Sequence, residues 1–222
     1  MEIKNDLSDS IVAGSTGLVG SELVKELVSL GHVVTALTRR KTIPTLEQVE
    51  YKFVDYEKPS SFEYLFQNKK HVFICLGTTI KKAGSKENFR RVDIDYSFDI
   101  AKIASKFNVP NLSLVTSIGA DSTSKNFYLQ CKGEIENKIL TLDFESVSIY
   151  QPGLLIGARS EKRIAESLGQ TIQPFFIDPL LQGSLKKFRS IKATYLAKSI
   201  ASNSGKKSGK RYFTFKDFFV LS

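Results

Sequence analysis

Tyr128 and Lys132 stand four residues apart in the run Tyr128-Leu-Gln-Cys-Lys132, which opens a stretch patterned as a helix. Residues at that spacing share a helix face, so a phenol and an ammonium converge on one point in space. An ammonium beside a phenol stabilises phenolate and yields a proton donor and acceptor usable near neutral pH. Eleven residues before Tyr128, Thr116-Ser117 ends an apolar run patterned as a strand. A hydroxyl there polarises a carbonyl or steadies an alkoxide beside the tyrosine. Ser117 is the choice made here, with Thr116 as the alternative.

A second constellation lies near the start of the chain. Ser10-Ile-Val-Ala-Gly14-Ser-Thr-Gly17-Leu-Val-Gly20 is a short apolar strand that breaks into three glycines spaced three apart. Val19, Leu23, Leu27 and Leu30 then continue at helical spacing. Gly14 allows a tight turn, Gly17 lets phosphate approach the backbone, and Gly20 lets the helix pack close to the strand. The amides opening the helix then face an anion, which suits a dinucleotide pyrophosphate. Which dinucleotide is read at the end of the next strand, where an acidic residue accepts hydrogen bonds from ribose hydroxyls in NAD sites. This chain has Thr38-Arg39-Arg40-Lys41 there, with Arg39 nineteen residues after Gly20. A guanidinium pairs with a 2′-phosphate through two bonds and gains nothing comparable from a neutral hydroxyl. The expected cofactor is therefore NADP(H).

These groups must be held by a frame, and the chain supplies one. Apolar runs patterned as strands occur at Ile11–Ala13, Val33–Leu37, Tyr51–Val54, Val72–Leu76, Leu112–Thr116 and Val147–Tyr150. Helical patterns lie between them at Gly17–Leu30, Pro59–Phe66, Asn88–Phe107 and Phe127–Leu142. In the third of these, Val92, Tyr96, Ile100, Ile103 and Phe107 form one apolar stripe. The alternation predicts an α/β, Rossmann-like, doubly wound parallel sheet with helices on both faces. Past Pro152 the rhythm loosens, then a helix returns at Lys192–Asn203 and a last strand at Arg211–Phe215. Residues 158–190 either cover a substrate or close the far edge of the sheet.

At 222 residues the chain suits one NAD(P)-binding domain spanning 1–222. The net charge of +9 comes from 32 Lys and Arg against 23 Asp and Glu, but the cations are scattered without aromatic interleaving. That excludes nucleic acid as the main partner. No apolar stretch reaches membrane-spanning length, and the polar, acidic first residues are unlike a secretory signal. Two cysteines, one in a strand and one on a helix, read as reduced thiols, Cys131 being half-buried and inert. His32 and His71 belong to no cluster with metal-site spacing, so no metal is expected. Taken together, these features predict a soluble, cytoplasmic protein acting on a small molecule, its oligomeric state open.

The chain resembles the short-chain dehydrogenase/reductase superfamily in its atypical branch, and more closely the small NADP-binding oxidoreductases related to human Tat-interacting protein. The resemblance rests on Gly14-Ser-Thr-Gly-Leu-Val-Gly20, Thr38-Arg-Arg40, Cys75-Leu-Gly-Thr-Thr79, Val92-Asp-Ile-Asp-Tyr96, Ser117-Ile-Gly-Ala-Asp121, Tyr128-Leu-Gln-Cys-Lys-Gly-Glu134 and Gln151-Pro-Gly153. It implies that Gly14, Ser15, Thr16, Gly17, Leu18 and Val19 line the pyrophosphate and nicotinamide side. It further implies that Arg39, with Arg40 beside it, holds the 2′-phosphate, and that Asp55, ending the third strand, meets the adenine amino group. Leu76 and Gly77 would flank the ribose, Tyr128 and Lys132 grip the nicotinamide ribose, and Pro152 and Gly153 border the nicotinamide.

Three features depart from the superfamily pattern: Asp93 stands where Asn often holds a relay water, Gln151 stands where Arg is frequent, and the hydroxyl is Ser117 or Thr116 with a short loop from either to Tyr128. The implied activity is hydride transfer between nicotinamide and a carbonyl or alcohol carbon. Tyr128 would transfer the proton, Lys132 assist it, and Ser117 orient the oxygen. The alternative is an NADP(H)-binding regulator or redox sensor, with a protein partner and little or no turnover. Nucleotide-sugar epimerase or dehydratase chemistry would need a larger substrate portion than the roughly 65 residues after Gly157.

Overall fold

A computed structural model of the chain describes residues 9–40, 46–157, 181–205 and 208–219. The strands are β1 (Asp9–Ala13), β2 (Val33–Thr38), β3 (Val49–Phe53), β4 (His71–Ile74), β5 (Asn111–Val115) and β6 (Ser146–Tyr150). A short pair follows, β7 (Leu155–Ile156) with β8 (Ile191–Lys192), and then β9 (Gly209–Phe213). Among the described residues, seven strands form one parallel sheet in the order β3-β2-β1-β4-β5-β6-β9. The helices are α1 (Leu18–Ser29), α2 (Ile80–Ala83), α3 (Lys86–Arg90), α4 (Tyr96–Lys106), α5 (Phe127–Ile139) and α6 (Ala193–Ser202).

Successive strand residues point to opposite faces, so the apolar runs feed two cores. Ile11, Ala13, Ile74 and Leu112 pack with Ile100 and Ile103 of α4 and Ile135 and Ile139 of α5. On the other face Val12, Phe73 and Tyr150 pack with Leu23 and Leu27 of α1 and Leu196 and Ile200 of α6. Each Val, Leu, Ile or Phe side chain so buried contributes roughly 1.5–3 kcal/mol. The sheet is doubly wound, as the alternation requires.

Local periodicity misjudged three places. The stretch read as one helix over Asn88–Phe107 is α3, a π-helical turn Arg91–Asp95, then α4. The extra residue in that turn shifts the register. Tyr96, Ile100 and Ile103 keep their buried stripe, while Val92 and Phe107 are only half-buried. Pro59–Phe66 is two 3₁₀ turns, Pro59–Ser61 and Glu63–Phe66, with Phe62 and Phe66 buried. The last strand ends at Phe213 because Asp217 Oδ2 accepts from Thr214 N at 2.7 Å and turns the chain.

Of the segment 158–190, residues 158–180 lie outside the described residues. The remainder holds a 3₁₀ turn, Gly183–Phe188, and Arg189 Nε donates to Leu181 O at 2.8 Å. A Cβ at Gly153 would stand 2.4 Å from Arg189 O. Glycine there is accordingly what lets the Phe188–Arg189 backbone close over the chain leaving β6.

Candidate active site

Strand order reverses between β1 and β4, and ligands of such sheets sit in the crevice beyond the strands' carboxyl ends at that point. The glycine run lies there. Gly14 has φ +81°, and a Cβ on it would stand 2.5 Å from Cys75 O, just beyond β4. A Cβ at Gly20 would meet Gly14 O at 2.2 Å, and one at Gly17 would meet it at 3.0 Å. Gly17 caps α1 without a side chain, and the first turn of α1 holds no acidic residue. The helix start thus keeps its positive potential for an outside anion.

Two loop residues assigned by resemblance turn their side chains away from this crevice. Ser15 Oγ donates to Leu37 O at 2.7 Å, and Val19 is buried in the core against α6. Both can offer only backbone to a ligand. Leu18 is half-buried and backs onto Gly157, where a Cβ would meet its Cδ1 at 2.6 Å; Thr16 is half-buried.

At the end of β2, Thr38 Oγ1 accepts from Arg40 N at 2.9 Å, and the side chains of Arg39 and Arg40 are exposed. Lys41 lies outside the described residues. Asp55 does not end β3 but lies two residues beyond it, exposed, with Oδ1 accepting from Glu57 N at 3.0 Å. Beside it the rings of Tyr56 and Tyr96 stack at 5.5 Å. Burial raises the Tyr56 phenol, opposed by the Gly14 amide and by the charge of Arg39. Burial, with Glu57 accepting its hydrogen bond, pushes Tyr96 up to about 12. Sequence reasoning missed this aromatic pair, whose partners come together only through β3 and α4.

On the other side of the crevice, α5 starts at Phe127 because Asn126 Oδ1 accepts from Tyr128 N at 3.0 Å and Leu129 N at 3.2 Å. Tyr128 is 38% exposed, Lys132 is buried, and Lys132 Nζ lies 5.7 Å from the centre of the Tyr128 ring. The two therefore do share a face. Yet the nearest charge to Lys132 is Asp93, whose Oδ1 accepts from Nζ at 2.6 Å. Burial, the largest single influence, lowers the ammonium's pKa, but Asp93 together with Tyr128 and Cys131 outweighs it and the pKa is raised. Leu76 is half-buried against the α4/α5 core, Gly77 is exposed next to the Asp93–Lys132 pair, and Pro152 is buried with its carbonyl accepting from Ile118 N at 2.9 Å.

The two hydroxyls differ in their surroundings because of a third group. Thr116 is buried and its Oγ1 donates to Glu136 Oε1 at 2.5 Å, so it faces inward. Ser117 is half-buried, with only a long contact of 3.4 Å from Oγ to Ile118 O. The loop that carries Ser117 is pressed onto α5 at Gly133, where a Cβ would stand 2.2 Å from Ser122 N. In the sequence Gly133 stood only within the motif Tyr128-Leu-Gln-Cys-Lys-Gly-Glu134, without a role, and Glu136 went unremarked. For Glu136 a signal existed: it follows Lys132 by four, as Lys132 follows Tyr128, on one helix face.

Glu136 also explains Gln151. Gln151 Nε2 donates to both carboxylate oxygens of Glu136, at 3.0 and 3.1 Å. Burial raises the Glu136 pKa; Gln151, Thr116 and the charge of Lys132 oppose that rise without cancelling it. The folded state therefore holds this proton more tightly than the unfolded chain does. The stabilising effect of protonated Glu136 is complete below the ordinary carboxylate range and is lost as pH rises through the raised value. Denaturant unfolding of wild type and Glu136→Gln should show the wild type losing stability relative to the variant as pH rises across that window. A difference that stays constant with pH would sink this reading.

The remaining singled-out residues are structural. Cys131 is fully buried rather than half-buried, and burial raises its thiol; burial also pushes Cys75 up to about 12. His71 is buried, with Nε2 2.9 Å from Ser113 Oγ and Nδ1 2.9 Å from Ser204 Oγ, and burial lowers it to about 3. His32 Nδ1 lies 3.0 Å from Ser10 Oγ.

A parallel sheet in this order, with a glycine turn at its reversal and a helix start that no side chain caps, defines a dinucleotide-binding Rossmann protein. The chain belongs to the NAD(P)H-binding family, whose pattern it matches over residues 14–143. It is 38% identical over 166 residues to protein HTATIP2 of Rattus norvegicus, spanning 72% of this chain and 67% of that protein. It is 34% identical over 184 residues to the mitochondrial protein FMP52 of Candida albicans, 80% of each chain. Among solved structures it is similar to the enzyme WbmG of Bordetella bronchiseptica in complex with NAD and UDP, at TM-score 0.70 and 16% identity. That likeness covers 96% of this chain and 75% of WbmG, and it shows the fold alone. The expectation of a cytoplasmic protein is overturned: four FMP52 relatives at 32–35% identity are named as mitochondrial. Nothing in net charge or in the first ten residues had pointed there.

Proposed function

We propose that the protein is an NADP(H)-dependent oxidoreductase of short-chain dehydrogenase/reductase type acting on a carbonyl or alcohol of a small molecule. One observation carries this reading: Lys132 Nζ lies 5.7 Å from the ring of a half-exposed Tyr128 and beside Gly77, which leaves β4 two residues after Cys75, the residue on whose carbonyl Gly14 is packed. The residues present fit a dinucleotide: Gly14, Gly17 and Gly20 lie too close to the neighbouring backbone to carry side chains, so the loop and the uncapped start of α1 offer bare backbone to an anion. Gly14 to Val19 would hold the pyrophosphate, chiefly through backbone, with Arg39 and Arg40 on the 2′-phosphate and Asp55 at the adenine. Leu76, Gly77, Pro152 and Gly153 would border the ribose and nicotinamide. When bound, the cofactor supplies or accepts the hydride. Tyr128 gives or takes the proton at the substrate oxygen, Ser117 orients that oxygen, and Lys132 steadies phenolate and holds the nicotinamide ribose. The test is a panel of carbonyl compounds followed by loss of NADPH absorbance, with NADPH affinity measured in parallel.

A second reading, an NADP(H)-binding regulator with a protein partner, is favoured by one observation: Asp93 already neutralises the ammonium that should acidify the phenol. Tight NADPH binding without turnover on a broad panel would select it.

Cofactor choice can be tested separately. With Arg39 and Arg40 where an acidic residue would serve NAD, NADPH should bind at least about tenfold more tightly than NADH. Arg39→Ala should remove most of that preference. Equal affinities in the wild type would overturn the NADP assignment.

A further inference from the structure

Asp93 and Lys132 form the most deeply buried ion pair among the described residues, with side chains 0% and 7% exposed and 2.6 Å between Oδ1 and Nζ. Asp93 reaches it from the π-helical turn Arg91–Asp95, an insertion of the kind that often marks functional places in helices. Its other oxygen, Oδ2, accepts from Thr78 N at 2.9 Å, in the segment that leaves β4. A Cβ built on Gly77 would lie 3.8 Å from Asp93 Oδ1 and 3.9 Å from Lys132 Nζ, so the pair sits directly under this exposed glycine. One carboxylate thus ties the β4 exit, the π turn and α5 together, and it does so 39 residues from its partner.

A buried ion pair is weak evidence of stability, because desolvation offsets much of its attraction. Its effect on charge is definite. Without Asp93, the Lys132 ammonium would lose its directly bonded carboxylate beside Tyr128, since Glu136, one helix turn on, is bonded by Thr116 and Gln151; with Asp93, its charge is cancelled at contact. We propose that Asp93 is a positioning residue that fixes the Lys132 ammonium under Gly77 and sets the local charge, so that the site tolerates the positively charged, oxidised nicotinamide as well as the neutral, reduced one. This rests on the cofactor reading above. It gives Asp93 a different task from the water-holding Asn of the superfamily: a direct contact in place of a relay.

The test is the ratio of NADP⁺ to NADPH dissociation constants, taken by calorimetry on the purified full chain without substrate. In Asp93→Asn the amide keeps the shape but leaves the ammonium uncompensated. NADP⁺ should then weaken relative to NADPH by about tenfold or more, the effect of one unit charge acting across roughly 10 Å at an effective dielectric near 20. Asp93→Glu keeps the charge, so its ratio should stay within about twofold of wild type even if both affinities fall. A merely structural role would weaken both cofactor forms alike in both variants. A folded Asp93→Asn with the wild-type ratio overturns this inference and leaves the cofactor reading standing. Should Asp93→Asn not fold, the Glu variant decides, and a ratio shifted tenfold despite the retained charge overturns the proposal. Wild type that binds neither form overturns the cofactor reading, and this inference with it.

Discussion

Tyr128→Phe is expected to lower the turnover rate by roughly 10²–10⁴-fold, the usual contribution of a placed general acid or base. The substitution deletes one hydroxyl and keeps the ring. The ring's edge contact with Phe89, 6.0 Å between centres, and its position 5.7 Å from Lys132 Nζ therefore survive. Folding and cofactor affinity should change little, because the exposed hydroxyl carries little packing and the cradle lies on β1 and α1. Steady-state rates on the best substrate, with NADPH titrations beside them, separate chemistry from binding. Lys132→Ala should behave differently and impair both, since under the proposed function the same ammonium would serve phenol and ribose, and its loss leaves the Asp93 carboxylate buried without its cation. A Tyr128→Phe protein that turns over like wild type would reduce the Tyr/Lys spacing to coincidence and bring the regulator reading forward.

The second large effect is expected at the cradle. Gly17→Val should weaken NADPH binding by about a hundredfold or more, some 3 kcal/mol. The new side chain branches into the space through which phosphate reaches the backbone. Its Cβ also begins 3.0 Å from Gly14 O, so the loop must yield by a few tenths of an ångström. A modest loss of stability, about 1–3 kcal/mol, should accompany the loss of binding. Circular dichroism and a thermal melt report the first effect, and NADPH fluorescence titration the second. A folded variant that binds NADPH normally would make the glycine run a turn and nothing more.

Gly20 shows why the run is legible without a structure. A Cβ there would stand 2.2 Å from Gly14 O, a clash between residues six apart in sequence, so the constraint and its cause lie in one short segment. The same holds for the start of α5. Asn126 caps the amides of Tyr128 and Leu129, and the four-residue spacing to Lys132 places both side chains on one face. The strands of the sheet were legible for a similar reason, since an apolar run bounded by turns needs no distant partner to declare itself. Sequence alone therefore determined the α/β class, the dinucleotide cradle, and the shared face of Tyr128 and Lys132.

Tertiary structure decided the rest. Whether Thr116 or Ser117 faces the site depends on Glu136, twenty residues away, which takes the Thr116 hydroxyl into the interior. Whether Lys132 stands alone or neutralised depends on Asp93, whose side chain is swung inward by a π turn that the apolar stripe of residues 92–107 does not reveal. Gly133 and Gly153 are required by backbone that arrives from Asp121–Ser122 and Phe188–Arg189. In each case the deciding contact crosses between separate elements of the sheet and its helices. Helical and strand periodicities record which face a residue occupies; they carry no record of which residue the packed fold sets opposite it.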